Sequence, residues 1–112
     1  MTDENLRLAV QCGVTDIVDR YPGPTLEDVL KVKVRVESFG LQLAAIEGYV
    51  PMENLILGRD DGTELAAMKN LVRHLGEAVV PILCYNFMAG TDWVRTRLDV
   101  AERGGATVTE FN

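Results

Sequence analysis

Three features of this sequence predict an α/β fold built on a parallel sheet. Helix-like and strand-like segments alternate along the chain. Two of the strand-like segments, Leu41 to Ile46 and Val79 to Phe87, are short and almost wholly apolar, as suits strands covered on both faces. The alternation then stops at Gly104-Gly105, which is flanked by two β-prone stretches and reads as a hairpin.

The first element is a helix over 3–12. Thr2 or Asp3 can cap it, acids fill its first turn, Leu6, Ala9 and Val10 share a face, and Gly13 stops it. A short buried strand follows at about 15–19. Tyr21-Pro22-Gly23-Pro24 is a loop, since two prolines and a glycine sustain neither regular structure.

Thr25 opens a second helix that runs to Phe39, with Asp28 three residues on as an imperfect capping box and Gly40 as its stop. Here two periods compete. Leu26, Val29, Leu30 and Val36 have helical spacing, whereas Val32, Val34 and Val36 alternate with charges as in a strand. The cap and the glycine stop bracket one element of helical length, so helix is chosen.

A second strand is expected at about 41–47, then a loop over 48–61. The next helix has the clearest pattern: Thr63 as cap and a stripe of Leu65, Met68, Leu71, Val72 and Leu75. A third strand is expected at about 80–87, where Pro81 suits only the beginning. The hairpin occupies about 93–111. The order is α, β, α, β, α, β and a hairpin, forming one segment over 1–112. A closed (β/α)8 barrel needs about 250 residues, so about three parallel βα units amount to a partial barrel, unfinished at both ends and with two open sheet edges.

Composition narrows the function classes. The chain has 112 residues, 47% of them hydrophobic and 25% charged, which is ordinary for one globular domain. A net charge of −6 argues against a nucleic-acid or anionic-membrane surface. There is no run of 18 apolar residues and no signal-peptide pattern, so the cytoplasm is the default. Cys12 and Cys84 lie in apolar surroundings outside any CxxC pair and are expected as reduced, buried thiols, with one disulfide or a reactive thiol as the alternatives.

In a βα barrel the reacting groups sit at the C-terminal ends of the strands. Those positions here are Asp19-Arg20-Tyr21, Glu47-Gly48-Tyr49 and Cys84-Tyr85-Asn86-Phe87, with Asp92, Trp93 and Arg95 in the loop that follows. The mixture suits a polyhydroxylated anion: arginine pairs with a carboxylate, the amide and acids bind hydroxyls, and indole packs on a carbon skeleton. From position alone the signal is weak, and ordinary loop and cap roles are the simpler explanation of the same residues. His74, the only histidine, lies off the apolar stripe beside Arg73 and is expected to be solvated. No HxH or HExxH pattern occurs, and one carboxylate at Glu47 is not a metal site.

Cys84-Tyr85-Asn86-Phe87-Met88, then Asp92-Trp93, then Arg95-Thr96, fix nine residue types at set spacing. This pattern resembles a motif of the mannonate dehydratases, a family of xylose-isomerase-like TIM barrels. Glu27-Asp28-Val29-Leu30-Lys31, Phe39-Gly40-Leu41, Glu47 and Pro51 are similar to the second helix, third strand and following loop of that family. Ala89 departs from a position where many members carry proline, and Asp19-Arg20-Tyr21-Pro22 replaces a histidine-containing stretch.

The resemblance implies that the chain is an N-terminal piece of such an enzyme, with its strands the second to fourth of the barrel. It implies loss of water from D-mannonate to give 2-keto-3-deoxy-D-gluconate in hexuronate catabolism. It further implies Mn2+ or Fe2+, held by His, Cys and Asp from later strands; Cys84 does not match those ligands. By carry-over, Glu47, Tyr85, Asn86, Asp92, Trp93 and Arg95 line the substrate side, with Arg95 on a carboxylate or hydroxyl and Glu47 as a polar wall. The segment alone is expected to be inactive. The expected partners are a small sugar acid and further copies of the chain, with no nucleic acid and no membrane. The alternatives are a fragment of another sugar isomerase or epimerase of the same barrel type, and a non-enzymatic half-barrel module that self-associates.

Overall fold

A strand hydrogen-bonded on both sides sets the architecture. In the computed structural model, which describes residues 1–48, 50–88 and 95–112, strand β2 (Gln42–Gly48) pairs in parallel with β1 (Asp16–Arg20) and with β3 (Ile82–Tyr85). The sheet order is β1-β2-β3, and among the described residues neither outer strand has a further neighbour. Helices α1 (Asp3–Gln11), α2 (Leu26–Glu37), the single turn α3 (Glu53–Ile56) and α4 (Thr63–Glu77) complete the α/β unit. A separate antiparallel hairpin joins β4 (Arg97–Ala101) and β5 (Thr107–Glu110).

The core lies between the sheet and the helices. Leu43 and Ile46 of β2, Ile17 of β1, Val29 and Val36 of α2 and Leu71 and Leu75 of α4 form one cluster with Leu6 of α1. A register shift between Ile17 and Val18 brings Leu43 and Ile46 into the same cluster although they are three residues apart. The chain is a slab of 49 × 40 × 17 Å with a radius of gyration of 17.1 Å. A compact chain of this size has about 13 Å, so the molecule is open rather than closed around its core.

The α2 conflict resolves as helix because its start is locked. Thr25 Oγ1 accepts from the Asp28 N–H at 3.2 Å, and Asp28 Oδ2 accepts from the Thr25 N–H at 3.1 Å, a complete capping box. Gly23 leaves room for it: a Cβ there would stand 2.5 Å from Asp28 Oδ2, at a backbone φ of +141°. The hydrogen bonds from the Thr25 side chain, and then from its backbone, hold the Asp28 carboxyl below the usual range.

Four expectations are corrected. Thr63 does not cap α4; it is the first helical residue, and Gly62 is the N-cap. The Asp60 carboxylate instead accepts from the Glu64 and Leu65 N–H groups at 2.9 and 3.1 Å, while Asp61 accepts from Thr63. The third strand is shorter than 80–87, because Val79 and Val80 are used to end α4 and Pro81 has no N–H to donate to a ladder. The loop over 48–61 contains α3, tied to α4 by Glu64, which accepts from the Asn54 side chain at 2.7 Å and from the Leu55 N–H at 2.8 Å. His74 is half-buried, on the shoulder between Leu71 and Leu75, and among the described residues its Nδ1 has no hydrogen-bond partner.

The end of α4 is a Schellman turn with the wrong residue at its bend. Val80 N–H donates to Leu75 O at 2.8 Å and Val79 N–H to Gly76 O at 3.1 Å, placing Val79 at φ +56°, where glycine is normally found. A β-branched residue is strained there, and Val79 is 75% exposed, so little packing offsets the strain. Val79→Gly is therefore expected to raise stability by about 1 kcal/mol, read as a higher urea midpoint at unchanged m. An unchanged or lower midpoint contradicts the strain.

The capping box makes a pH prediction. A depressed carboxyl contributes stability above its unfolded pKa, near 3.9, and that contribution is lost as pH falls through the lower folded value. Thr25→Ala removes the larger of the two causes, the side-chain hydrogen bond, so the variant should lose less stability than the parent across this acid window in urea titrations at successive pH values. An equal loss would exclude the box as the source.

Candidate functional site

Parallel pairing places side chains on neighbouring strands in rows, about 4.8 Å apart. On the face turned away from the helices, Val18, Ala45 and Ile82 make one row. One step toward the C-terminal ends, Arg20, Glu47 and Cys84 make the next. The opposite face carries Asp19, Ile46 and Leu83 in register, with Ile46 fully buried and Leu83 packed on the core. Val18 and Ile82 are half exposed, at 53% and 50%, while Ala45 between them is buried, so among the described residues this side of the sheet is uncovered along its outer strands. A carboxylate and a guanidinium thus crown an apolar floor, an arrangement able to hold a polar ligand above a dry base.

The expected buried cysteines are both exposed. Cys12 caps the end of α1, and Cys84 stands on the sheet face turned away from the helices, where among the described residues it is exposed. Apolar neighbours in sequence do not bury a residue whose strand turns it outward.

Of the expected site residues, Glu47 is exposed at the end of β2 and Asn86 is half-buried two residues beyond Cys84. Tyr85 ends β3 but belongs to the other side. With Met52, Leu55, Met68, Val72, Leu83 and Phe87 it lines an apolar groove of about 290 Å3 against α3 and α4. Its ring meets Phe87 edge-on at 6.5 Å. Alternation along β3 separates Tyr85 from Cys84, and hence from the Glu47 row. Arg95 stands at the foot of the hairpin, where its Nε donates to Thr109 Oγ1 at 3.2 Å. Asp92 and Trp93 lie outside the described residues.

Arg20 is the residue that sequence reasoning placed at a strand end without carrying it into the site. The signal was available only as register: nothing in the sequence says that Arg20 pairs with Glu47. Beside it, the Tyr21 hydroxyl is held above its ordinary pKa by partial burial and, secondarily, by the Asp28 charge, so it is a neutral hydrogen-bond donor at physiological pH. Among the described residues no group of three or more His, Cys, Asp or Glu side chains could hold a metal ion, and no helix is long and apolar enough to cross a membrane.

A family profile described as D-mannonate dehydratase (UxuA) matches residues 4–112. The chain belongs to the mannonate dehydratase family. It is 35% identical over 116 aligned residues to "Mannonate dehydratase 2" of Agrobacterium fabrum, covering 99% of this chain and 29% of that protein. It is 38% identical over 90 residues to a mannonate dehydratase of Thermotoga petrophila, covering 78% of this chain and 24% of that one. The crystal structure of mannonate dehydratase from Streptococcus suis serotype 2 superposes with a TM-score of 0.82 at 30% identity, over 93% of this chain and 32% of the solved one. The chain therefore spans between a quarter and a third of the length of these mannonate dehydratases.

The raised Tyr21 pKa gives a spectroscopic prediction. In an ultraviolet titration of tyrosinate, Tyr21→Phe should remove an ionisation step that lies above the ordinary tyrosine value. Its persistence would assign that step to another tyrosine.

Proposed function

We propose that this chain is a segment of a mannonate dehydratase, forming three consecutive strands of a (β/α)8 barrel whose interior is the uncovered sheet face. The observation that carries the reading is the pair of rows on that face: Val18, Ala45 and Ile82 below, Arg20, Glu47 and Cys84 above. Layered side chains fill a barrel interior, and chemistry occupies its C-terminal end. The whole enzyme would remove water from D-mannonate to give 2-keto-3-deoxy-D-gluconate, in the cytoplasm and as a homo-oligomer.

Within it, Glu47 forms a polar wall and Asn86, Asp92 and Trp93 contact the sugar chain. Arg95 holds a carboxylate or hydroxyl, steadied by Thr109 of the hairpin. Tyr85 acts at one remove, by packing against Phe87 behind the strand end. The metal proposed for the complete enzyme is Mn2+ or Fe2+, which supplies Lewis-acid stabilisation of the charge that develops when the C2 proton leaves. The described residues offer no group that fits it, so its ligands are assigned to the rest of the protein. The residues here bind, orient and exclude water.

Two measurements test this. The 112-residue chain alone should not dehydrate D-mannonate, and detectable turnover would overturn its assignment as a segment. In a protein that carries the rest of the barrel, Arg95→Ala should lower kcat/KM by about tenfold or more, the scale of one lost charged contact. Unchanged kinetics would remove Arg95 from the site.

A further inference from the structure

Two of the exposed apolar surfaces, the uncovered sheet face and the groove beside β3, border the open edges of the sheet. A third does not. Helix α2 is already flanked on both sides. On one side Arg35 donates to Asp3 of α1 at 2.6 and 3.0 Å, and Arg7 of α1 lies over Phe39. On the other, α2 packs against α4. Its inner face holds Val29 and Val36 in the core. Yet its outer face still shows Leu30 at 39% and Val34 at 64% exposure. Leu26, Leu30 and Val34 follow at intervals of four, and with Glu27 and Lys31 they line one shallow depression. Strands added to the sheet edges would not reach this face.

We propose that the outer face of α2 is a self-association surface, on which a second copy of this chain packs its own α2 antiparallel about a two-fold axis near Leu30. The charge pattern argues for a second copy. Glu27 and Lys31 stand four residues apart along one edge of the apolar stripe. In an antiparallel helix pair the same edge of each helix meets its counterpart. With the axis at Leu30, Leu26 lies opposite the partner's Val34. Glu27 comes within about one turn of the partner's Lys31, and symmetry forms the pair twice. A stripe with one sign of charge along its edge would repel its copy; this one is self-complementary. The opposite edge is neutralised within the chain, where Lys33 and Glu37 already pair.

Sedimentation equilibrium of the chain tests the proposal. The parent chain should be a dimer. Val34→Glu, Glu27→Lys and Lys31→Glu should each raise the dissociation constant by about tenfold or more, because each buries a charge or sets like charges opposite each other. The double variant E27K/K31E restores opposite charges and should return to within about threefold of the parent. Helix content by circular dichroism checks folding, and if Val34→Glu loses helix, the three charge variants decide. A monomeric parent, association that neither single reversal weakens, or a double variant that stays as weak as the singles overturns the proposal.

Discussion

The constraint on which the structure depends is that β2 is the central strand of a parallel sheet covered on one side only. Its pairing to β1 and β3 fixes both neighbours in register. Its helix-facing Leu43 and Ile46 are fully buried and anchor α2 and α4 through Val29, Val36, Leu71 and Leu75. Each such side chain contributes roughly 1.5–3 kcal/mol by burial. That is a large share of what a small domain has in all, about 5–15 kcal/mol. The same register decides which polar groups meet at the strand ends. Packing below and chemistry above are therefore set by one ladder.

Turn chemistry then places the helices against that ladder. The capping box fixes where α2 starts, the Asp60 carboxylate fixes α4, and Glu64 holds α3 beneath it. These are local hydrogen bonds between residues close in sequence. They position Met52 and Leu55 as one wall of the groove beside Tyr85 and Phe87. At the hairpin, Gly104 and Gly105 take φ of +72° and +80°, which lets β4 and β5 reverse and brings Thr109 to Arg95.

What was legible in the sequence follows from the range of each interaction. Thr25 with Asp28, and the Gly104-Gly105 pair, act within a few residues and were read correctly, as was the choice of helix for α2. The motif from Cys84 to Thr96 identified the family, which the comparisons bear out. The stop of α4 was not legible, because a valine takes the left-handed position that a glycine normally marks. The exposure of Cys84, the far side occupied by Tyr85 and the Arg20–Glu47 pairing were not legible either. All three depend on strand register, which joins residues 27 to 37 positions apart without a local mark.

The uncovered face of the sheet is proposed as an interior face of a longer barrel. Its two cysteines test this directly, with one as reporter and the other as control. Both are exposed in this chain, Cys84 on the uncovered face and Cys12 at the end of α1. The measurement is the rate of alkylation at each, by mass spectrometry, in the 112-residue chain and in a protein of the length of its mannonate dehydratase relatives that contains it. Cys84 should become strongly protected in the longer protein while Cys12 keeps its rate. Equal reactivity of Cys84 in both would contradict it, because the face would then remain open to water.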